Sequence, residues 1–305
     1  MFDRIIAVDW SARSAPSPAR PVKDAIYICN RSRNTGRQDH IAGHPTYHRT
    51  RDAAMTVVQT ALDAALVTGE RVFLGFDFGF GYPAGFAERL TGRAEALAVW
   101  DWLNGQIVDA PDNANNRFSV AAGINALFDG LGPFWGCPTG VDLAGLPAKG
   151  SLRSGHGLSD RRAVEEVLKT AQSGFKLFTT GSVGSQSLLG LPYLARLRRR
   201  YGAALMVWPQ QSGWGVPDAQ IVLAEIYPSM MKVSRLIPLK SSAPNELYHI
   251  PDAVQVRNVC DWVETASLAG WLPNLFDPAA GLPDADRIAA EEGWIFGAKL
   301  GKTAK

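Results

Sequence analysis

Two apolar runs in this chain each end in an aspartate. "RIIAVD" carries Ile5, Ile6, Ala7 and Val8 into Asp9, and "RVFLGFD" carries Val72, Phe73, Leu74 and Phe76 into Asp77. A short, continuous apolar run bounded by turn signals is the pattern of a central strand covered on both faces. Gly79, Gly81 and Pro83 supply such signals after the second run. Each acid therefore sits at the C-terminal edge of a buried strand, and the fold class expected is α/β.

The neighbouring patterns fit that class. "DAIYICN" reads as a second strand and "HPTYHRT" as a third. From Arg51, apolar residues at 54, 57, 58, 61, 62 and 65 have helical spacing, with Thr50 as N-cap and Gly69 as the stop. Residues 84–203 alternate helical patches such as "AEALAVWDWLNGQIV" and "PYLARLRRRYG" with turn-rich segments. That stretch reads as a mostly helical insertion, a lid or specificity region between core parts 1–83 and 204–305. Strand patterning returns in "AALMVWP" and in "AQIVLAEIYPS", which places Glu225 in mid-strand. A helix follows over about 252–271, capped by Asp252, with an apolar stripe at 256, 259, 260, 263 and 267 and Asp261 at its edge. The tail reads as a short helix, an apolar packing segment and a frayed basic end.

At 305 residues, the length suits one elaborated domain or two. A net charge of +2 with 46% hydrophobic residues describes a globular chain without the basic excess that by itself marks a nucleic-acid binder. Cys29, Cys137 and Cys260 form no CxxC pair, which suits a reducing compartment and argues against a disulfide framework or a zinc site. The five histidines show no HExxH spacing. No apolar stretch approaches the roughly 18–20 residues of a membrane span, and no signal peptide is legible, so a cytoplasmic protein is expected.

Carboxylates that converge in a partly dry site repel one another, and such clusters persist when a divalent cation or a shared proton compensates them. Oxygen-only ligation favours magnesium or manganese over zinc. The order of elements, with acids on the first strand, the fourth strand, a later strand and a final helix, resembles the ribonuclease H-like fold. More narrowly, "VDWSA", "FDFGFGYP", "NNRF", "GPFWGCP", "GSVGSQ", "VWP", "AEIYPS" and "EEGWIFG" look like the uncharacterised bacterial DUF429-type family of ribonuclease H-like proteins, over nearly the whole chain. The resemblance implies a mixed sheet flanked by helices. It also implies Asp9 as the first-strand acid bridging two metal ions, Asp77 as the acid of the fourth strand and Asp261 as that of the closing helix. Glu225 is an extra candidate, either a ligand or a lone buried acid bonded to backbone. Each acid also has a purely structural reading, in which Asp77 and Asp9 accept backbone N–H groups in their turns.

Candidate substrate contacts are Asn115, Asn116 and Arg117 of "PDNANNRF", Ser185 and Gln186 of "TTGSVGSQS", and Trp10. Asparagine and arginine can read a base edge or a phosphate, although an Asn-rich turn also caps a helix. The "TTGSVGSQS" segment reads as an anion-binding nest or a flexible loop over the acids, and it lacks the P-loop lysine. Trp10 would stack on a base or pack in the core. "RLRRR" at 196–200 reads as a solvated helix face. The function expected is a metal-dependent phosphodiester hydrolase, nuclease-like, acting on a small nucleotide or short nucleic acid, with the ion activating water. The catalytic group would be Asp9, Asp77, Glu225 and Asp261. One alternative is a phosphotransferase of the actin and sugar-kinase kind, for which "WSARSA" lacks the Gly-rich turn after the first strand. Another is a non-catalytic cofactor- or partner-binding protein, whose sign would be acids that do not converge or that pair with Arg117 or Arg257.

Overall fold

In a computed structural model, which describes residues 1–33, 43–179, 181–230, 247, 249–278 and 282–299, the two acid-terminated runs lie side by side. The first half of the chain forms β1 (Arg4–Asp9), β2 (Ile26–Ser32), β3 (Pro45–His48), α1 (Arg51–Thr68) and β4 (Val72–Phe76). The strands β1, β2 and β3 make an antiparallel meander, and α1 carries the chain over to β4, which pairs in parallel with β1. The expected caps of α1 are present: Thr50 Oγ1 accepts the Ala53 N–H at 3.3 Å, and Gly69 closes the helix at φ 71°.

The segment after β4 contributes α2 (Phe86–Thr91), α3 (Ala96–Gln106), α4 (Arg117–Asn125), α5 (Ala163–Val167) and α6 (Val183–Tyr201). The sheet then resumes with β5 (Leu205–Trp208) and β6 (Ile221–Glu225), and α7 (Pro251–Leu268) follows. Strand order is β3-β2-β1-β4-β6-β5, with β4, β6 and β5 mutually parallel. This is the expected ribonuclease H-like mixed sheet flanked by helices. The frayed basic end, residues 300–305, lies outside the described residues, as does His40. No described helix is long and apolar enough to cross a membrane.

Strand alternation sorts the core into two halves. Ile6, Val8, Leu74, Phe76 and Leu223 face α1 and the aromatics of the 84–203 segment, including Phe86, Trp100 and Phe134. Ile5, Ala7, Phe73, Val222 and Ala224 face α7. The 84–203 segment thus shares one continuous core with the sheet: Tyr82, just after β4, stacks on Phe175 at 5.6 Å and 20°.

Three local expectations change. The helix expected from Pro192 starts nine residues earlier, at Val183, because its first half is buried among apolar neighbours and accommodates Pro192 in its interior. Residues 183–187 of "GSVGSQS" are therefore helix, with Ser182 as the N-cap. Asp252 lies in the first turn of α7 behind Pro251, with Ile250 as N-cap. Glu225 is the last residue of β6, not a mid-strand residue.

Glu225 also meets a partner that no pattern announced. Arg162, at the N-terminus of α5 and fully buried, donates from Nη1 and Nη2 to Glu225 at 2.8 and 2.7 Å and from Nε to Glu165 at 2.8 Å. Burial works against the guanidinium charge, but the two carboxylates hold its pKa above the usual arginine value. Breaking such a pair strands an uncompensated charge. Arg162→Met should lower unfolding free energy by about 3–5 kcal/mol in urea denaturation. Adding Glu225→Gln to that variant should restore part of the loss; a double variant less stable than the single would contradict this account.

Candidate functional site

The parallel register sets Val8 beside Phe76, so the next residues on each strand, Asp9 and Asp77, emerge together at the sheet's C-terminal edge. Their carboxyl groups are close enough for each to act on the other's protonation. Asp77 Oδ1 also accepts the Trp10 N–H at 2.7 Å, which fixes one carboxylate against the backbone of the other strand. Alternation turns both acids towards the α7 side, where the first turn of α7 brings Asp252. Asp252 Oδ2 accepts the Asp24 N–H at 2.6 Å, and Ser11 Oγ donates to the Asp24 carbonyl at 2.9 Å.

A cavity of about 850 Å³ opens over this edge and is lined by Asp9, Asp24, Asp77 and Asp252, with Arg117 and Gln186 among its other walls. A second space of about 420 Å³ meets it at Asp77, Gly181 and Gln186. Among the described residues, neither Asp9 nor Asp77 has a basic partner. Burial raises the Asp9 pKa well above the carboxylate range, and repulsion from Asp77 and Asp252 adds to it. Burial pushes Asp77 up to about 7, against the Trp10 N–H and the Asp9 contact, which lower it. Burial also raises Asp252, opposed by the Asp24 N–H. Burial thus favours the protonated form of both carboxyl groups over the charged one.

Two expected members of the acidic group stand elsewhere. Glu225 is in register with Phe76, so it points to the opposite face of the sheet from Asp9 and Asp77. Both its oxygens are occupied, by Arg162 and by the Phe80 N–H at 2.8 Å. Its charge is met by Arg162, and it lines the second space together with Asp77. Asp261 pairs with Arg31 at 2.5 Å and with Arg257 at 3.7 Å, and its side chain is 43% exposed. Nine residues along α7 amount to about 13 Å and about two and a half turns, which puts Asp261 on the opposite side of the helix from Asp252. Arg31 faces Ile5 in the β1–β2 register, four residues below Asp9, so Asp261 sits at the far end of the strands. Its pairing with Arg257 is the sign set out for a non-catalytic binding protein, and Asp261 carries it; Asp9 and Asp77 have no such ion pair among the described residues.

The expected substrate contacts divide in the same way. The Trp10 ring is 1% exposed and packs edge-on against Phe76 and Tyr193 at 5.7 and 5.4 Å, so only its backbone serves the site. Gln186 Nε2 donates to the Trp10 carbonyl. Ser185 accepts from Arg117 Nε at 2.9 Å and donates to the Leu177 carbonyl. Asn115 accepts from Arg117 Nη1 at 2.7 Å, whereas Asn116 closes the turn after α3 through the Val108 N–H and the Gln106 carbonyl. Within "RLRRR", Arg198 and Arg200 pair with Asp101 and Asp63.

Sequence reasoning passed over Asp24 and Arg51 and took Asp252 for a cap. Arg51 is wholly buried, grips Asp109 with two bonds of 2.6 and 2.5 Å, and donates to the Ser11 and Arg13 carbonyls. It thereby holds the loop after β1 that walls the cavity. A buried arginine at a helix start leaves no periodic signal; only the fold reveals it. Searches against protein-family models, curated proteins and solved structures find no match for this chain.

The raised carboxyl groups have a signed consequence. The folded pair binds protons that the unfolded chain, with ordinary carboxylates near pKa 3.9, has already released, so unfolding is favoured as pH rises through about 7. Without divalent cations, the thermal midpoint of the wild type should fall between pH 6 and pH 8. Asp9→Asn should flatten that slope and exceed the wild type at pH 8 by roughly 1–3 kcal/mol. A wild-type profile as flat as the variant's would remove the buried-pair account.

Proposed function

We propose that this protein is a divalent-cation-dependent phosphodiester hydrolase acting on a nucleotide or short nucleic acid at the Asp9–Asp77 edge. The observation that carries the reading is a pair of adjacent carboxylates, a buried Asp9 and a half-buried Asp77, unpaired with any base among the described residues and facing an open cavity. The resemblance to the DUF429-type family points the same way.

Among the described residues, no three histidine, cysteine or acidic side chains converge closely enough to hold a metal ion. Magnesium, however, is commonly held by one or two carboxylates with water and substrate phosphate completing the shell, and a two-carboxylate donor set fits that habit. Asp9 and Asp77 would hold magnesium or manganese. When bound, the ion would offset negative charge on the phosphoryl oxygens. The chain's own residues would do the rest: the Trp10 N–H keeps Asp77 oriented, Gln186 locks the Trp10 carbonyl, and Asp252 faces the same space as an acceptor for a water proton. A net charge of +2 suits a small nucleotide better than a long polyanion.

A second reading rests on the same carboxyl contact. Two acids sharing one proton form a general acid–base dyad that needs no metal. Calorimetric titration with Mn²⁺ separates the two. Wild type should bind with release of a proton, Asp9→Asn and Asp77→Asn should lose binding, and Asp261→Asn should retain it. Absence of binding in wild type at millimolar Mn²⁺, together with hydrolysis that survives chelation, would favour the metal-free dyad.

A further inference from the structure

The other end of the cavity has the opposite character. Arg117, the first residue of α4, lines the cavity and is only 7% exposed. Its Nε donates to Ser185 Oγ at 2.9 Å, and Nη1 donates to Ser14 Oγ at 2.9 Å and Asn115 Oδ1 at 2.7 Å. The guanidinium also lies 4.3 Å from the Phe118 ring centre. All these partners are neutral.

Among the described residues no carboxylate pairs with it. The one acid that influences it, Asp109, is taken by both arms of Arg51. Burial and the Arg51 charge together push its pKa down to about 10, still far above neutrality. Arg117 makes no ion pair with Asp9 or Asp77 among the described residues, although all three line the same cavity. A buried, uncompensated cation is unfavourable unless an anion arrives from outside.

The surroundings suit a tetrahedral oxyanion. Ser14 Oγ accepts from Arg117, and its own O–H makes no bond among the described residues. The 19-residue α6 opens onto the same cavity at Ser182, which makes no side-chain cap bond. Arg13 and Lys23 stand on the cavity rim. Guanidinium, hydroxyls and a helix N-terminus approach from different directions, which matches the several oxygens of a phosphate better than the two of a carboxylate.

We propose that the Arg117 end of the cavity seats a phosphate group other than the reacting one, so that the ligand is a short phosphorylated species spanning from Arg117 to the Asp9–Asp77 pair. The place of the reacting phosphate rests on the hydrolase reading above; the anion seat does not.

Inorganic phosphate, titrated calorimetrically without divalent cations, tests the seat alone. Wild type should bind one phosphate per chain, Arg117→Gln should weaken binding by about tenfold or more, and Arg117→Lys should fall between them. Asp9→Asn should bind phosphate at least as well as wild type. No binding to wild type, equal binding to Arg117→Gln, or loss in Asp9→Asn would each overturn the proposal. Acetate binding as tightly as phosphate would also overturn it. If Arg117→Gln does not fold, phenylglyoxal labelling of wild type mapped by mass spectrometry decides: phosphate must protect Arg117, and unprotected labelling rejects the seat. A failed Mn²⁺ titration beside successful phosphate binding would reject the hydrolase reading and leave the seat standing.

Discussion

One buried guanidinium ties together three stretches that are remote in sequence. Arg162 joins Glu165 of α5, Glu225 at the end of β6 and the carbonyl of Glu292 near the C-terminus, all at 3.0 Å or less. The Glu292 carboxylate then accepts the Ala163 and Ala84 N–H groups, and Glu291 accepts that of Gly85. Glu225 reaches back to the Phe80 N–H. The chain leaving Asp77 is therefore pinned from residue 80 to 85 by three acids, of which Glu225 is ion-paired with Arg162 while Glu291 and Glu292 are held by backbone N–H groups. In a low-dielectric interior such a network stands only when fully satisfied, and then it rigidifies what it touches. The position of the Asp9–Asp77 edge depends on it.

That network also explains which parts of the site were legible in the sequence. The apolar runs before Asp9 and Asp77 announced two buried strands, and parallel pairing made their acids neighbours. Glu225 looked equivalent because it too ends an apolar run. What separates it is a single step of register: Glu225 aligns with Phe76, not Asp77, and a one-residue difference reverses the face. Register between strands 145 or more residues apart is a property of the closed sheet and leaves no local trace. Asp252 and Asp261 show the helical version of the same problem. Both lie near the apolar stripe of α7, and only the direction in which α7 crosses β1 decides which end meets the acids. The start of α6 was hidden differently, since Pro192 resembled a first-turn proline while burial of the preceding turn overrode that signal.

The acid pair runs against the stability of its own fold. Asp9 is buried and Asp77 half-buried, both are close to Asp252, and they have no cation beside them among the described residues, whereas several other charges in the interior are matched: Arg51 by Asp109, Arg162 by Glu225 and Glu165, Glu70 by Arg4. A chain that pairs its charges elsewhere and leaves them bare at one strand edge has the pattern of a site whose partner comes from solution.

Arg117 makes the same statement with the opposite sign. Three helices, α4, α6 and α7, present their first turns to one cavity through Arg117, Ser182 and Asp252. Each helix N-terminus contributes roughly half a positive charge over its first turn. Arg13, Lys23 and Arg117 line the same cavity as the four aspartates; Lys23 stands beside Asp24 and acts on Asp252, whereas Asp9 and Asp77 at the strand edge have no basic partner among the described residues. A single simple ion would satisfy only one of those ends. Both are satisfied together by a cation at the carboxylates and an anion at the arginine, or by one ligand that carries phosphate at the arginine and brings a cation to the acids. The cavity's charge pattern is thus a constraint on the signs of the groups a ligand brings to it.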